Sequence, residues 1–418
     1  MLDLFLISSK RFVIMAIAAL TRSPDGSATL GVRRVLVMLG FLPVFALAQG
    51  IHWLGFLLDE ILYRGYRRVE VRAPLFVLGV PRSGTTKLHE VLARDDHYTT
   101  FSAWECLFAL SVTERRFWRA CGRIDALVGR PAARALAWIE RRVFSSLDDV
   151  HAMSLRTPEE DYFALMPILS CFILFLPFPA AEHVWRMGRF DSEMPERDRR
   201  RILEFYHACL QKHLYVHGPH KRLLSKNAAF APLALSLAHR FPDARFIVCV
   251  RDPAQTVPSQ LSSIESGLGF FGVPTDSGSI RERLVDQLAF YYQNLDALAR
   301  MQPRERCAVI TLPQIKAGLS DTMTGAYRQL GLPLSPTFAR LLEAETDAAR
   351  RYHSSHGYTL SQFGLDPARI DLQFGVAYRH LTLHARSVVG SETPTGASER
   401  SQGPHPGVQR QPEGAVSC

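Results

Sequence analysis

Apolar positions along the chain come in one long run, several short runs and several helical stripes. The long run is Val35 to Leu58, 24 residues without a charge, opened by Arg33-Arg34 and closed by Asp59-Glu60. As a helix it would be about 36 Å long, enough to cross a bilayer. Gly40, Pro43, Gly50 and Gly55 interrupt it. A kinked pair of interfacial helices, or a hydrophobic lid over an acceptor pocket, therefore fits as well as a straight span. A shorter apolar stretch, Phe12 to Leu20, follows Lys10-Arg11 in the manner of a signal-peptide core, but no small-x-small cleavage site follows it. Basic residues flank the long run on both sides, so charge alone does not orient it.

The short runs predict strands at Leu75–Leu78, Lys221–Ser225, Arg245–Val250 and Cys307–Leu312. Helical spacing predicts Lys87–Leu92, two helices over 105–145, Pro195–Leu214, Ser259–Leu268, Arg281–Met301 and Asp321–Leu330. The last of these stops at Gly331-Leu332-Pro333. Leu165–Pro179 is strongly apolar but carries three prolines, and reads as a buried helix or as lining of an acceptor pocket. After about Ser387 the composition turns to Ser, Thr, Gly, Pro, Gln and Glu and predicts disorder. Strands alternating with helices imply an α/β fold: three layers, a central parallel sheet with helices on both faces, and ligand at the carboxyl ends of the strands. The expected organisation is apolar N-terminal helices over residues 1–69, a catalytic domain over 70–386 and a tail over 387–418.

Composition changes this picture little. The chain has 418 residues, 47% hydrophobic and 21% charged, with a formal net charge of +9. That balance suits a globular domain that meets an anionic nucleotide or membrane surface. Nucleic acid is not expected, because no basic repeat with interleaved aromatics, helix-turn-helix pattern or zinc-finger spacing is present. The seven cysteines are scattered with no C-x-x-C pair, which points to a reducing compartment. His213, His217 and His220 could share a helix face until Gly218-Pro219 breaks it, and no metal site is expected.

The chemistry enters at Gly79-Val80-Pro81-Arg82-Ser83-Gly84-Thr85-Thr86, a glycine-bounded loop between a strand and a helix. Such a loop directs several backbone N–H groups at one anion. Its glycine spacing is that of the nucleotide P-loop, but Thr85 stands where a kinase or ATPase has its lysine, and the cation is Arg82 inside the loop. Arg251 ends a second apolar strand, in Arg251-Asp252-Pro253, and offers planar, bidentate donors to an anion. The competing reading is Arg251–Asp252 as a structural ion pair.

Pro81-Arg82-Ser83-Gly84-Thr85-Thr86 resembles the 5′-phosphosulfate loop of the sulfotransferases, which use 3′-phosphoadenosine-5′-phosphosulfate (PAPS). The resemblance covers roughly residues 70–380. It extends to Leu224-Ser-Lys-Asn227, Thr157-Pro-Glu-Glu-Asp161, Phe241-Pro-Asp-Ala-Arg-Phe and the segment from Tyr358 through Leu365. It implies that Arg82, Ser83, Gly84, Thr85 and Thr86 bind the 5′-phosphosulfate and that Arg251 and Ser259 bind the 3′-phosphate. Arg82 and the loop N–H groups would stabilise the leaving phosphate, and no metal is required. Lys226 resembles the family lysine that touches the bridging oxygen or the sulfonate; otherwise it is a solvent-facing loop lysine. The histidine base of many cytosolic members is replaced by Asn227. That leaves Glu105, or Glu160 and Asp161, as the base, with a helix N-terminal role as the plainer explanation of the latter two. The aromatic residue that stacks on adenine is replaced by Lys87. His89 reads as a packing or surface residue. The implied activity is sulfonate transfer to a hydroxyl or amine of an apolar or lipid-linked acceptor, by a membrane-associated enzyme whose catalytic domain lies in the cytoplasm, or by a soluble cytoplasmic one. A P-loop kinase or ATPase, and a catalytically inactive membrane scaffold, remain as alternatives. Oligomeric state is not specified by the sequence.

Overall fold

The computed structural model describes residues 1–21, 30–144, 155–274, 278–351 and 358–389. Five parallel strands form its centre: β1 (Leu75–Gly79), β2 (Tyr98–Thr99), β3 (Arg222–Asn227), β4 (Arg245–Val250) and β5 (Cys307–Thr311). Their spatial order is β2-β3-β1-β4-β5. The chain leaves β1 towards β2 and β3, then returns past β1 to build β4 and β5. The order thus reverses beside β1, and in open α/β sheets ligands bind at that point, beyond the carboxyl ends of the strands.

Alternation along the strands divides the core into two layers. Phe76, Val248 and Val309 face one cluster of buried side chains, while Val77, Ile247 and Ile310 face another. The two central strands are buried on both faces, which explains their unbroken apolar runs. The longer helices are α1 (Leu2–Ala19), α2 (Val32–Leu62), α3 (Thr85–Leu92), α4 (Ala103–Phe108), α5 (Val112–Leu127), α6 (Pro131–Phe144), α7 (Glu196–His217), α8 (Pro253–Phe270), α9 (Gly278–Met301), α10 (Leu319–Gln329), α11 (Pro336–Arg351) and α12 (Pro367–Val389). This is the three-layer α/β arrangement expected from the sequence, with apolar helices ahead of it.

Two local expectations are corrected. Residues 105–145 hold parts of three helices, not two. Ser102 and Ser111 each cap a helix and close a capping box with Glu105 and Glu114, which breaks the segment between Phe108 and Val112. Leu165–Pro179 is buried but is not an α-helix: it forms 3₁₀ turns at Asp161–Ile168 and Phe172–Phe175. Pro167, Pro177 and Pro179 deny the amide hydrogens that a regular helix needs. At the far end, Val388 on α12 is still buried in the core, and the expected tail lies from residue 390 onward outside the described residues.

α2 is one helix of 31 residues rather than a broken pair. α1 runs antiparallel to it, with Phe5 against Trp53 and Phe12 against Phe45. The buried side of α2 carries its polar residues. Arg34 donates to the carbonyls of Ala19 at 3.3 Å, Phe271 at 3.0 Å and Pro177 at 3.1 Å. His52 Nδ1 lies 2.7 Å from Glu114 Oε1. Asp59 accepts from Lys212 Nζ at 2.7 Å and from the first backbone N–H groups of α5, Val112 at 2.9 Å and Thr113 at 2.8 Å. Gly55 allows the close approach of α5, since a Cβ there would lie 2.4 Å from Ser111 Oγ. The opposite side of α2 faces outward. The helix is long and apolar enough to cross a membrane by length and composition.

Candidate active site

β1 ends at Gly79, where a Cβ would meet the Cys249 carbonyl oxygen at 2.6 Å; only glycine lets β1 and β4 come this close. The chain then turns through Arg82 at φ +64° and Gly84 at φ +85° before α3 begins. A non-glycine residue in the left-handed region costs about 1 kcal/mol or more and persists only where the surroundings enforce it. Ser83 is fully buried, and its hydroxyl donates back to the Val80 carbonyl at 2.6 Å, locking the turn. Its side chain is therefore internal to the loop, and only its backbone faces the anion site. The N–H groups at the start of α3 have no intrahelical acceptors, as at any helix N-terminus.

Two guanidinium groups meet above this turn. Arg82 Nε donates to Ser259 Oγ at 3.2 Å, and Arg251 donates to the Arg82 carbonyl at 3.1 Å. Burial and the charge of Arg82 both lower the pKa of Arg251 from its ordinary value. The ion pair Arg251–Asp252 is not formed; Asp252 caps α8 instead, accepting from the Ala254 N–H at 2.9 Å. Among the described residues neither arginine has a carboxylate within ion-pair distance. Tyr292 fixes the end of β4, its hydroxyl donating to the Arg251 carbonyl at 2.6 Å. Two cations without an ion-paired carboxylate among the described residues, beside oriented backbone donors, are a candidate anion site.

Lys226 approaches the same loop from β3. It is buried, donates to Thr86 Oγ1 at 3.2 Å and forms an ion pair with Glu160. It is not a solvent-facing lysine. The residue after Glu160, Asp161, is a fully buried carboxylate. That carboxylate accepts from Tyr206 Oη at 2.5 Å, from Ser225 Oγ at 2.9 Å and from the Asn227 amide. Burial pushes Asp161 up to about 6, against the pull of these hydrogen bonds. The alternation of β3 explains the arrangement: Ser225 and Asn227 point to Asp161, while Lys226 points the other way, to α3.

Glu105 stands elsewhere. Its carboxylate closes the capping box of α4, accepts from His217 Nε2 at 2.5 Å and lies 3.5 Å from Arg115 Nε and 3.9 Å from His213 Nδ1. Burial raises its pKa, but Arg115 and the two histidines outweigh burial and hold it well below the usual carboxylate range. The geometry thus brings Glu160 to Lys226 and the loop, and commits Glu105 to an ion-paired cluster. Glu105, His213 and His217 offer ligand atoms within 4.8 Å of one another, but Arg115 on the same carboxylate opposes a cation there. Lys87, at the position of the adenine-stacking aromatic, bridges to Glu345 of α11 at 2.7 Å.

His89 is a packing residue, one of the two roles expected for it. It is buried on α3, its Nε2 lies 2.7 Å from Thr100 Oγ1, and burial together with Lys226 lowers its pKa to about 3. Tyr206 was missed because it reaches the site from the middle of a long amphipathic helix. A separate apolar cleft of about 210 Å³, between α1, Arg34 and Phe178–His183, shares no residue with the phosphate loop.

Comparison with known proteins agrees with this site. The model of the sulfotransferase family matches residues 74–336. Over 267 residues the chain is 26% identical to the omega-hydroxy-beta-dihydromenaquinone-9 sulfotransferase Stf3 of Mycobacterium bovis and of Mycobacterium tuberculosis. That match takes in 62% of this chain and spans 63% of the length of those relatives. In fold, the chain is similar to the sulfotransferase STF9 from Mycobacterium avium, with a TM-score of 0.69 and 18% identity over 90% of this chain and 95% of that one. It is also similar to STF1 from Mycobacterium tuberculosis, with a TM-score of 0.66 and 17% identity over 90% and 93%. The phosphate loop, both of its arginines and Lys226 lie inside the matched residues, and the chain belongs to the sulfotransferase family.

Proposed function

We propose that this enzyme transfers the sulfonate group of PAPS to a hydroxyl of a lipid-linked acceptor, at a membrane surface and with its catalytic domain in the cytoplasm, where the donor is made. The observation that carries the donor assignment is the pairing of Arg82 and Arg251 without a carboxylate at the ends of β1 and β4. In this reading Arg82, the N–H groups from Ser83 to Thr86 and the Thr85 and Thr86 hydroxyls receive the 5′-phosphosulfate. Arg251 and Ser259 receive the 3′-phosphate.

PAPS supplies an activated sulfonate: its sulfur–oxygen bond to the 5′-phosphate breaks as the bond to the acceptor oxygen forms. The leaving oxygen gains negative charge, and Arg82 and Lys226 face that charge with fixed positive groups. The acceptor proton passes to Glu160, the carboxylate that lies against Lys226. Tyr206, Ser225 and Asn227 hold the adjoining Asp161 and so anchor this stretch of chain beside β3. The mycobacterial relatives are named for a menaquinone-derived acceptor, and the apolar outer surface of α1 and α2 supports an acceptor of the same physical class here.

Calorimetric titration with 3′-phosphoadenosine-5′-phosphate, with adenosine 5′-phosphate and with ATP tests the donor. Arg251→Ala should weaken binding of the first by about 1.5–3 kcal/mol, the range for a hydrogen bond to a charged group, and of the second far less. Equal losses for both would make Arg251 structural. Preference for ATP together with strict Mg²⁺ dependence would move the chain to the kinase class.

A further inference from the structure

α2 is amphipathic in the reverse sense of a soluble helix. Its protein-facing stripe holds Arg34, His52 and Asp59. Its other face is apolar without exception: from Leu36 to Ile61 every exposed residue is apolar or glycine. Leu36, Leu39, Leu47, Leu54, Leu57 and Ile61 are each more than half exposed. α1 extends the surface with Leu2, Leu6 and Ile17, also more than half exposed. A protein–protein interface is typically only about 56–65% apolar in area. A face with no polar group along 26 residues matches hydrocarbon better than a second protein surface. Exposed Lys10, Arg33, Arg64 and Arg68 stand around this hairpin, where they suit anionic head groups.

The inner side of α2 rules out a transmembrane placement. From Arg34, bonded to Phe271 and Pro177, through Trp53, bonded to Pro167, to Asp59, bonded to Lys212, a wall of protein follows the helix. A span needs lipid or apolar protein on all sides, and this wall carries charges. The helix is also about 46 Å long, against about 30 Å of hydrocarbon. We propose that the α1–α2 hairpin is a monotopic docking surface. Its outer face sinks into one leaflet with the helix axes in the membrane plane, and its basic residues meet anionic lipid. The proposal deepens the lipid-acceptor reading and rests on it for its purpose.

Flotation of the full-length protein with phosphatidylcholine–phosphatidylglycerol vesicles tests it. The protein should float with the vesicles and remain bound in 1 M NaCl. The variant L39E/L47E/L54E should lose at least ten-fold in the floated fraction and keep its affinity for 3′-phosphoadenosine-5′-phosphate. If the triple variant loses nucleotide affinity as well, L47E alone is used, with a several-fold loss of flotation expected. A variant that floats like the parent overturns the proposal. So does a parent protein that stays at the bottom as a monomer, or as a dimer that the variant dissociates. In a C121S/C418S background, G31C and E70C, which flank α2 outside its apolar face, should both react with an impermeant maleimide added outside loaded vesicles; reaction at one end only would mean that α2 crosses. Sulfonate transfer to lipid extracts dispersed in detergent needs no vesicle, so failure of the acceptor reading remains separable from failure of docking.

Discussion

On the inner face of α2, Arg34 gives its guanidinium to three backbone carbonyls, whereas at the ends of β1 and β4 Arg82 and Arg251 lie together with no carboxylate at ion-pair distance among the described residues. Arg34 is buried, while Arg82 and Arg251 are half-buried at the edge of the site. In the first, every charged or titratable group on the helix's buried side has a partner: His52 has Glu114, and Asp59 has Lys212 and two backbone N–H groups. In the second, positive charge is left over. A buried polar group that is fully partnered holds the fold together, and one left without a counter-charge at the edge of a cleft is held for a ligand. The ion pair of Lys226 with Glu160 stands between the two cases, closed in this structure and open to rearrangement when charge arrives.

The sharpest way to break this comparison is to change the intermediate case. Glu160→Gln should lower turnover by about 10²–10⁴-fold, the range for loss of a positioned base. Glu105→Gln should lower it by no more than a few-fold per folded molecule. The measurement is the initial rate of label transfer from labelled donor, and the reverse ranking would return the base to Glu105. Next in size, Arg82→Ala should cost about 10²–10³-fold in turnover, as for a preorganised charge-stabilising donor, with little change in melting temperature and full activity in EDTA. A variant that instead unfolds would place Arg82 with the structural arginines.

Arg34→Ala should do the opposite. It leaves three buried carbonyls without donors and should destabilise by about 2–4 kcal/mol, read as a drop of several degrees in melting temperature, with nucleotide affinity retained. The smallest effect concerns pH. Folding raises Asp161 to about 6 from its ordinary value near 4. Between those values the folded state holds a proton that the unfolded state has lost, so this group's stabilisation is complete below about pH 4 and lost as pH rises through 6. Asp161→Asn removes that dependence. The melting temperature of the variant relative to the parent should therefore rise between pH 4 and pH 7, and parallel profiles would contradict it.

The phosphate end of the sheet was legible because its chemistry is contiguous. Gly79 through Thr86 is a single stretch, and Arg251 with Ser259 is another, each directly after an apolar run that could only be a buried strand. The choice between Glu105 and Glu160 was not legible, because both carboxylates lie near helix starts and only the fold shows which one meets Lys226. α2 was read as an apolar run without sidedness. Yet Arg34, Met38, Leu42, Phe45, Gln49, His52, Phe56 and Asp59 follow one another at intervals of three or four, so every polar residue of the helix's middle and ends except Arg33 and Glu60 falls on one stripe. The period was present; it was hidden because hydrophobicity was scored, and here the apolar side is the outer one.

Two of the partners that bury the inner face of α2 come late in the chain. Asp59 waits for Lys212, 153 residues on, and Arg34 for Phe271, 237 residues on. At about 5–20 residues per second, the ribosome needs roughly 10–50 s to make that second partner. For much of that interval Arg34 and Asp59 have only their earlier partners, Ala19 and the first N–H groups of α5, while the apolar stripe of α2 does not need its own domain. Nascent chains arrested before residue 212 should hold α2 on a bilayer or a chaperone, cut readily by protease, and the helix completes its protected side only when the second half of the protein has been translated.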